Sequence, residues 1–183
     1  MNNTCRIASG YLGALLARQR PTWDFHDEPL SENGRSALWF ITDSNLEVQN
    51  INVSQNDISW EDVPGMARML VTCPKLTKFD ISNNQLSTLV ETHFSGFHRM
   101  CEALANNRSL TDLNVNSNNL GMVGVRMICN SLQSLKGLRR LGASSALIAS
   151  DCTLTNQRRL GASSALIASD CTLTDHGWAR MAS

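Results

Sequence analysis

Leu110-Thr-Asp-Leu-Asn-Val-Asn-Ser-Asn-Asn-Leu120 is the stretch from which this chain is read. Its apolar and amide residues follow the pattern LxxLxLxxNxL. Leu113 and Val115 lie two apart, the spacing that puts both on one face of a short strand. Leu110 and Leu120 add apolar side chains at either end of the same face. Asn118 is the polar exception, and an amide carries two donors and an acceptor. Turned inward, it can pair backbone groups that a bending chain would otherwise bury unmatched. One such unit cannot cover its own apolar side, so the pattern predicts neighbours.

Neighbours are present. Val48, Ile51, Val53, Asn56 and Ile58 fit the same frame, as do Leu76, Phe79, Ile81, Asn84 and Leu86. The frames start at 48, 76 and 110, so one interval is 28 residues and the next is 34. Behind each strand frame comes an apolar set at i, i+3, i+4, i+7, which marks a helix with one buried stripe. The sets are Val63/Met66/Ala67/Leu70, Phe97/Met100/Cys101/Leu104 and Val125/Ile128/Cys129/Leu132. The extra residues of the long interval therefore fall before the second helix, within Ser87–Gly96, a loop that carries Thr88, Leu89, Val90, His93 and Phe94.

The pattern weakens towards both ends. Arg20-Pro-Thr-Trp-Asp-Phe-His-Asp-Glu-Pro-Leu30 is a degenerate copy with Trp23, Phe25 and Leu30 in apolar slots and Glu28 in the Asn slot. Gly34 then matches Gly96 and Gly124, expected just before their helices, and Arg35, Leu38, Trp39 and Thr42 form a weaker stripe. Residues 1–19 hold a helix-like run, Tyr11-Leu-Gly-Ala-Leu-Leu-Ala-Arg, too short to span a bilayer. At the other end Arg139–Thr155 reads RRLGASSALIASDCTLT, and Arg158–Thr174 repeats it identically. A period of 19 is too short for a strand and this kind of helix. Two frames compete here. One runs through Leu138, Leu141, Ala143, Ala146 and Ile148 and keeps the 28 spacing; the other is LxLxxCxL at Leu147 or Leu166. The sequence does not choose between them. The expected organisation is an N-terminal helical segment at 1–19, an array at 20–138 and a duplicated, degenerate segment at 139–183.

Composition narrows the function classes. Sixteen basic and sixteen acidic residues cancel, which leaves no overall field to draw nucleic acid or an anionic membrane. With 42% hydrophobic and 5% aromatic residues, an aliphatic core is expected. Six cysteines show no CxxC or Cys/His zinc spacing, and Cys101 and Cys129 share a slot on successive stripes. They are expected as reduced, buried thiols. His93 and His98 near Glu91 lack a third metal ligand. There is no GxSxG and no phosphate loop. Met66, Met100 and Met127 are expected to fill gaps around the helices.

A 28-residue strand–helix unit with Asn at the turn resembles the ribonuclease-inhibitor class of leucine-rich repeats. The resemblance covers about residues 20–138. It implies an α/β solenoid, a curved horseshoe of about four to five repeats with parallel strands on the concave face and helices on the convex one. It also implies an intracellular, cytoplasmic protein that binds another protein, as the ribonuclease inhibitor, the Ran GTPase-activating protein, innate-immune sensor domains and actin regulators of the tropomodulin type do. On that fold the outward strand positions are Asn50, Asn52 and Ser54; Lys78, Asp80 and Ser82; and Asp112, Asn114 and Asn116. They are the expected protein-binding residues, with Asn52, Asp80 and Asn114 aligned as one polar ladder. The expectation is a non-enzymatic scaffold with an unidentified protein partner and no cofactor, metal, nucleic acid, membrane or small-molecule substrate. The alternatives are a regulator of an enzyme, such as a GTPase activator, and a truncated fragment of a larger repeat protein.

Overall fold

The computed structural model describes residues 21–27, 30–42, 47–86, 94–132, 134–135 and 137–142. Strand and helix alternate along them. They are β1 (Thr22–Asp24), α1 (Glu32–Thr42), β2 (Asn50–Asn52), a 3₁₀ turn (Trp60–Asp62) running into α2 (Val63–Thr72), and β3 (Lys78–Asp80). Next come α3 (Phe94–Asn106), β4 (Asp112–Asn114), α4 (Gly121–Leu132) and β5 (Arg140–Gly142). The strands form one parallel sheet in the order β1-β2-β3-β4-β5. Each helix is the crossover that a parallel pair requires.

Register follows the repeat. Trp23, Ile51, Phe79, Leu113 and Leu141 are successive partners at the centres of the five strands, and all are buried. The helices supply the other wall of the core. Val63, Met66, Ala67 and Leu70 of α2 are buried, as are Phe97, Met100, Cys101 and Leu104 of α3 and Ile128 of α4. The expected stripes are therefore the faces that pack; the side chains of Val125 and Cys129 lie outside the described residues. Neighbouring helices touch in sequence order, α1 on α2, α2 on α3 and α3 on α4. Strands stack at about 4.8 Å and helices at about 8–10 Å. The stack must therefore bend with its sheet on the concave side.

The inward asparagines hold this bend. Asn84 is buried, and its Nδ2 donates to the carbonyls of Val53 at 3.0 Å, Ile81 at 3.0 Å and Ser82 at 3.1 Å. Its Oδ1 accepts from the backbone N–H of Asn56 at 3.0 Å and of Ile58 at 2.9 Å. One side chain thus joins the turn of its own repeat to that of the repeat before. Asn56 and Asn118 repeat the pattern, donating to Phe25 O and Ser54 O, and to Ile81 O and Val115 O. The residue before each, Gln55, Asn83 and Ser117, has φ of 58°, 51° and 54°. This left-handed conformation disfavours a side chain, and the amide network just beyond it holds the turn closed.

Two details depart from the sequence reading. The glycines expected before the helices lie inside them: Gly34, Gly96 and Gly124 fall in the first turn of α1, α3 and α4. At α1 the cause is visible, because Ser31 Oγ accepts the Gly34 N–H at 3.2 Å and starts the helix earlier. At the C-terminal end, β5 centres on Leu141, with Leu138 buried beside it. The 28-residue frame is therefore the one that continues the sheet, and β5 opens within the segment that begins at 139. Of the stretch Ser87–Gly96 expected as the inserted loop, residues 94–96 form the first turn of α3. Residues 87–93, the LxLxxCxL frames and the 1–19 segment lie outside the described residues.

The first two repeats are tied by a cluster that the periodicity does not announce. Asp62 is buried and caps the 3₁₀ turn together with Ser59. Its Oδ2 accepts Arg35 Nε at 3.0 Å and its Oδ1 accepts Trp39 Nε1 at 2.9 Å. Trp39 lies against Gly65, where an added Cβ would come within 2.5 Å of the indole. Only glycine lets α2 approach α1 this closely.

Candidate functional site

Residues at the first and third position of each three-residue strand point away from the core, and the parallel register lines them up in two rows. One row is Thr22, Asn50, Lys78, Asp112 and Arg140; the other is Asp24, Asn52, Asp80, Asn114 and Gly142. The expected alignment of Asn52, Asp80 and Asn114 is present. It extends one strand further on each side than the sequence reading took it, to Asp24 and Gly142. Thr22 and Asp24 were findable, since Trp23 and Phe25 already fixed the phase of that strand.

The rows are cross-braced. Asn50 Nδ2 donates to Thr22 Oγ1 at 2.9 Å, and Asn114 Nδ2 donates to Asp80 Oδ2 at 2.8 Å. Arg140 pairs with Asp112, whose other oxygen accepts the Thr111 hydroxyl at 2.6 Å. Gly142 leaves room for this packing: a Cβ there would displace the Asn114 side-chain amide. Lys78 stands exposed in the middle of the face.

Ser54 and Ser82 correct the expected site. Both are buried, because the strand has already begun its turn by these positions. The Ser54 hydroxyl donates to Asn52 Oδ1 and the Ser82 hydroxyl to Asp80 Oδ1, each at 2.7 Å. The same two oxygens accept the backbone N–H of residues 54 and 82, at 3.1 and 2.9 Å. The serines thus fix the side chains that do face outward. His26 Nδ1 also reaches Ser54 Oγ, at 2.7 Å. Asn116 is half-buried at the rim, where its N–H donates to Asn114 Oδ1 at 3.2 Å.

Elsewhere the chemistry is quiet. Among the described residues no group of three or more His, Cys, Asp and Glu side chains is placed to hold a metal ion. No described helix is long and apolar enough to cross a membrane. His98 stands exposed beside Glu102 at 3.6 Å; His93 and Glu91 lie outside the described residues. Cys73 and Cys101 are buried and in no disulfide, and the Cys73 thiol donates to Thr42 O at 3.2 Å. Burial pushes the Cys101 thiol up to about 11, against a smaller opposing effect from a hydrogen bond with Ser131, so it stays protonated. Met66 and Met100 are fully enclosed and Met127 packs against the core. Among the described residues the exposed large apolar side chains are Phe40 on α1, Trp60 on the 3₁₀ turn and Val71 on α2.

The face sits on a fold seen in other proteins. Residues 75–97, which run from the approach to β3 into α3, match the family model described as Leucine Rich Repeat. No curated protein sequence matches the chain. Among solved structures, the one described as Leiomodin-1 Actin-Binding Site 2 is similar, with a TM-score of 0.68 at 16% identity. The likeness covers 83% of this chain and 88% of that one. The tropomodulin C-terminal domain of Caenorhabditis elegans is similar at a TM-score of 0.64 and 12% identity, over 83% and 89% of the two chains. Three of the four steps between strand centres are 28 residues and one is 34; with the inward asparagines and the single parallel sheet, they give the chain the fold of an α/β solenoid of leucine-rich repeats.

Proposed function

We propose that this chain binds another protein through the concave face of its sheet and is not itself an enzyme. The observation that carries this reading is the braced polar row from Asp24 to Asn114. Its side chains are held in place by Ser54, Ser82 and one another. Such a face meets a partner with its hydrogen-bonding groups already ordered, so little side-chain entropy is lost on contact. It lacks aromatic anchors, which commonly dominate interfaces. A moderate affinity that depends on several polar contacts is the corresponding expectation. Localisation in the cytoplasm accords with buried thiols in no disulfide.

Actin is the first partner to test, because one of the structures similar to this chain carries that partner in its description. Purified full-length chain is titrated against monomeric actin and binding is followed by fluorescence anisotropy. The variants Lys78→Glu and Asn50→Arg change outward-facing groups, exposed at 78 and half-buried at 50, without touching the core. Saturable binding that falls at least about tenfold in either variant, with unchanged circular dichroism, supports both the face and the partner. Binding that ignores both substitutions removes the concave face from the account, and absence of binding removes actin.

A further inference from the structure

The charges of this chain cancel in sum, sixteen against sixteen, but not in place. Because the strands are parallel, their first residues share one rim of the sheet and their third residues the other. The rim of the third residues carries Asp24, Asp27, Asp57 and Asp80, in the repeats of β1, β2 and β3. Arg35, on the helix nearby, is engaged by the buried Asp62. The opposite rim carries Lys75, Lys78, Arg108, Arg139 and Arg140, all exposed and all in the repeats of β3, β4 and β5. Two carboxylates of that rim, Glu47 and Asp112, stand in ion pairs with Lys75 and Arg140. The concave face is therefore negative at one corner and positive at the corner diagonally across.

We propose, resting on the reading that this face binds a protein, that the segment it receives is a single α-helix, basic at one end and acidic at the other, laid along that diagonal. The dimensions agree. From Asp24 to Arg140 there are four strand steps of about 4.8 Å and two residues of about 3.3 Å, so the diagonal is about 20 Å. A helix covers that length in about 14 residues. Strands of three residues make a face about 10 Å across, the width of one helix. The basic end of the helix meets the aspartates of the first corner and its carboxylates meet Lys78 and Arg140. Between them Asn52 and Asn114, already braced, offer hydrogen bonds to its flank. A nucleic acid, charged alike along its length, would lose at the acidic corner what it gains at the basic one. A second copy of this chain carries matching charges, but two concave faces meet only at their rims.

Two alanine-based peptides of about 18 residues, long enough to be helical alone, are the probes, and their compositions are identical. One carries glutamates in its first third and lysines in its last, the order its own helix dipole favours; in the other the same charges alternate. Each is titrated into the isotope-labelled full chain and the amide resonances are followed. The segregated peptide is expected to bind at least about tenfold more tightly at about 0.01 M salt, which two or three exposed ion pairs supply. That advantage shrinks at about 0.15 M salt, where charges are screened beyond about 8 Å. The amides of Asp24, Lys78, Asp80 and Arg140 should shift, and Lys78→Glu should weaken the segregated peptide by at least about fivefold. The two peptides compared on the unaltered chain decide the matter even where a variant folds poorly. Equal affinity for both, with the same amides shifting, would overturn the charge match and leave the concave face as a binding surface. Failure of both peptides to bind would overturn it too, while the actin titration tests the face independently. Shifts confined to the helices would overturn both readings.

Discussion

The middle of the array and its first repeat use the same frame but close it differently. From β2 to β4 each turn is locked by a buried asparagine whose side-chain hydrogen bonds reach two repeats, three at Asn56, four at Asn118 and five at Asn84. In the first repeat Glu28 occupies that slot in the sequence. The turn is reached instead from the next repeat: Asn56 Nδ2 donates to Phe25 O at 2.6 Å, and the Leu30 N–H donates to Asn56 Oδ1 at 3.3 Å. The helix side compensates with Asp62, Arg35 and Trp39, and the strand side with the edge-on pair Trp23 and Phe25, 6.5 Å between ring centroids. Among the described residues a middle repeat is held on both sides, whereas the first is held by the repeat that follows it. Repeat arrays convert that difference into local stability.

The comparison breaks most visibly at the strand centres. Phe79→Ala removes a fully buried ring shared by two flanking repeats, and should cost about 3–5 kcal/mol in urea unfolding. Trp23→Ala removes an even larger side chain but should loosen only the first repeat. Hydrogen exchange would then show amides of β1 and α1 opening while those of β3 and β4 keep their protection. If Trp23→Ala exposed β4 as readily as β1, the repeats would not be the units of stability.

Next in size is Asn84→Ala. It takes the Asn84 acceptor from two buried N–H groups and the Asn84 donor from the Val53 carbonyl, while Ile81 O keeps Asn118 and Ser82 O keeps the Gln55 N–H. At about 1–3 kcal/mol for an unsatisfied group, a total loss near 3 kcal/mol is expected by the same unfolding measurement. Asn50→Ala, on the outward row, should stay within about 0.5 kcal/mol. The left-handed turn gives a smaller effect of opposite sign. Gln55→Gly relieves a φ of 58° and should be neutral or stabilising by up to about 1 kcal/mol, visible as a raised midpoint.

Cys101 provides the mildest and most selective test. Its folded pKa is raised from 9.0 to about 11 by burial. Between these values the unfolded chain has released the proton and the folded chain has kept it. Stability from this group is thus fully present below pH 9 and declines as pH rises towards 11. Cys101→Ala should flatten that part of the stability–pH curve. An unchanged slope would place the alkaline sensitivity elsewhere.

Much of this was legible before the fold. The spacing of Leu110, Leu113, Val115, Asn118 and Leu120 determines strand face, turn and register together, because an eleven-residue pattern leaves one arrangement that buries every apolar position and pairs the amide. The outward rows followed from the alternation of side chains along a strand. What the pattern could not convey was where alternation stops. Ser54 and Ser82 sit two residues beyond Asn52 and Asp80, yet the chain has turned by then, so their hydroxyls fold back onto those side chains. The glycines at 34, 96 and 124 misled for a related reason: a helix start is set by its cap, and Ser31 does not belong to the repeat. The Asp62 cluster left no periodic trace, since its partners Arg35 and Trp39 lie 27 and 23 residues away.

The central claim is that each inward asparagine holds the turn of the repeat before it. Hydrogen exchange of Asn84→Ala, residue by residue, tests this directly. The Asn56 and Ile58 amides, which both donate to Asn84 Oδ1, should lose protection by at least tenfold more than the Thr77 and Lys78 amides, which donate to Gln49 O. A uniform loss across all four would contradict the claim, leaving the asparagine as one contributor to an undivided core.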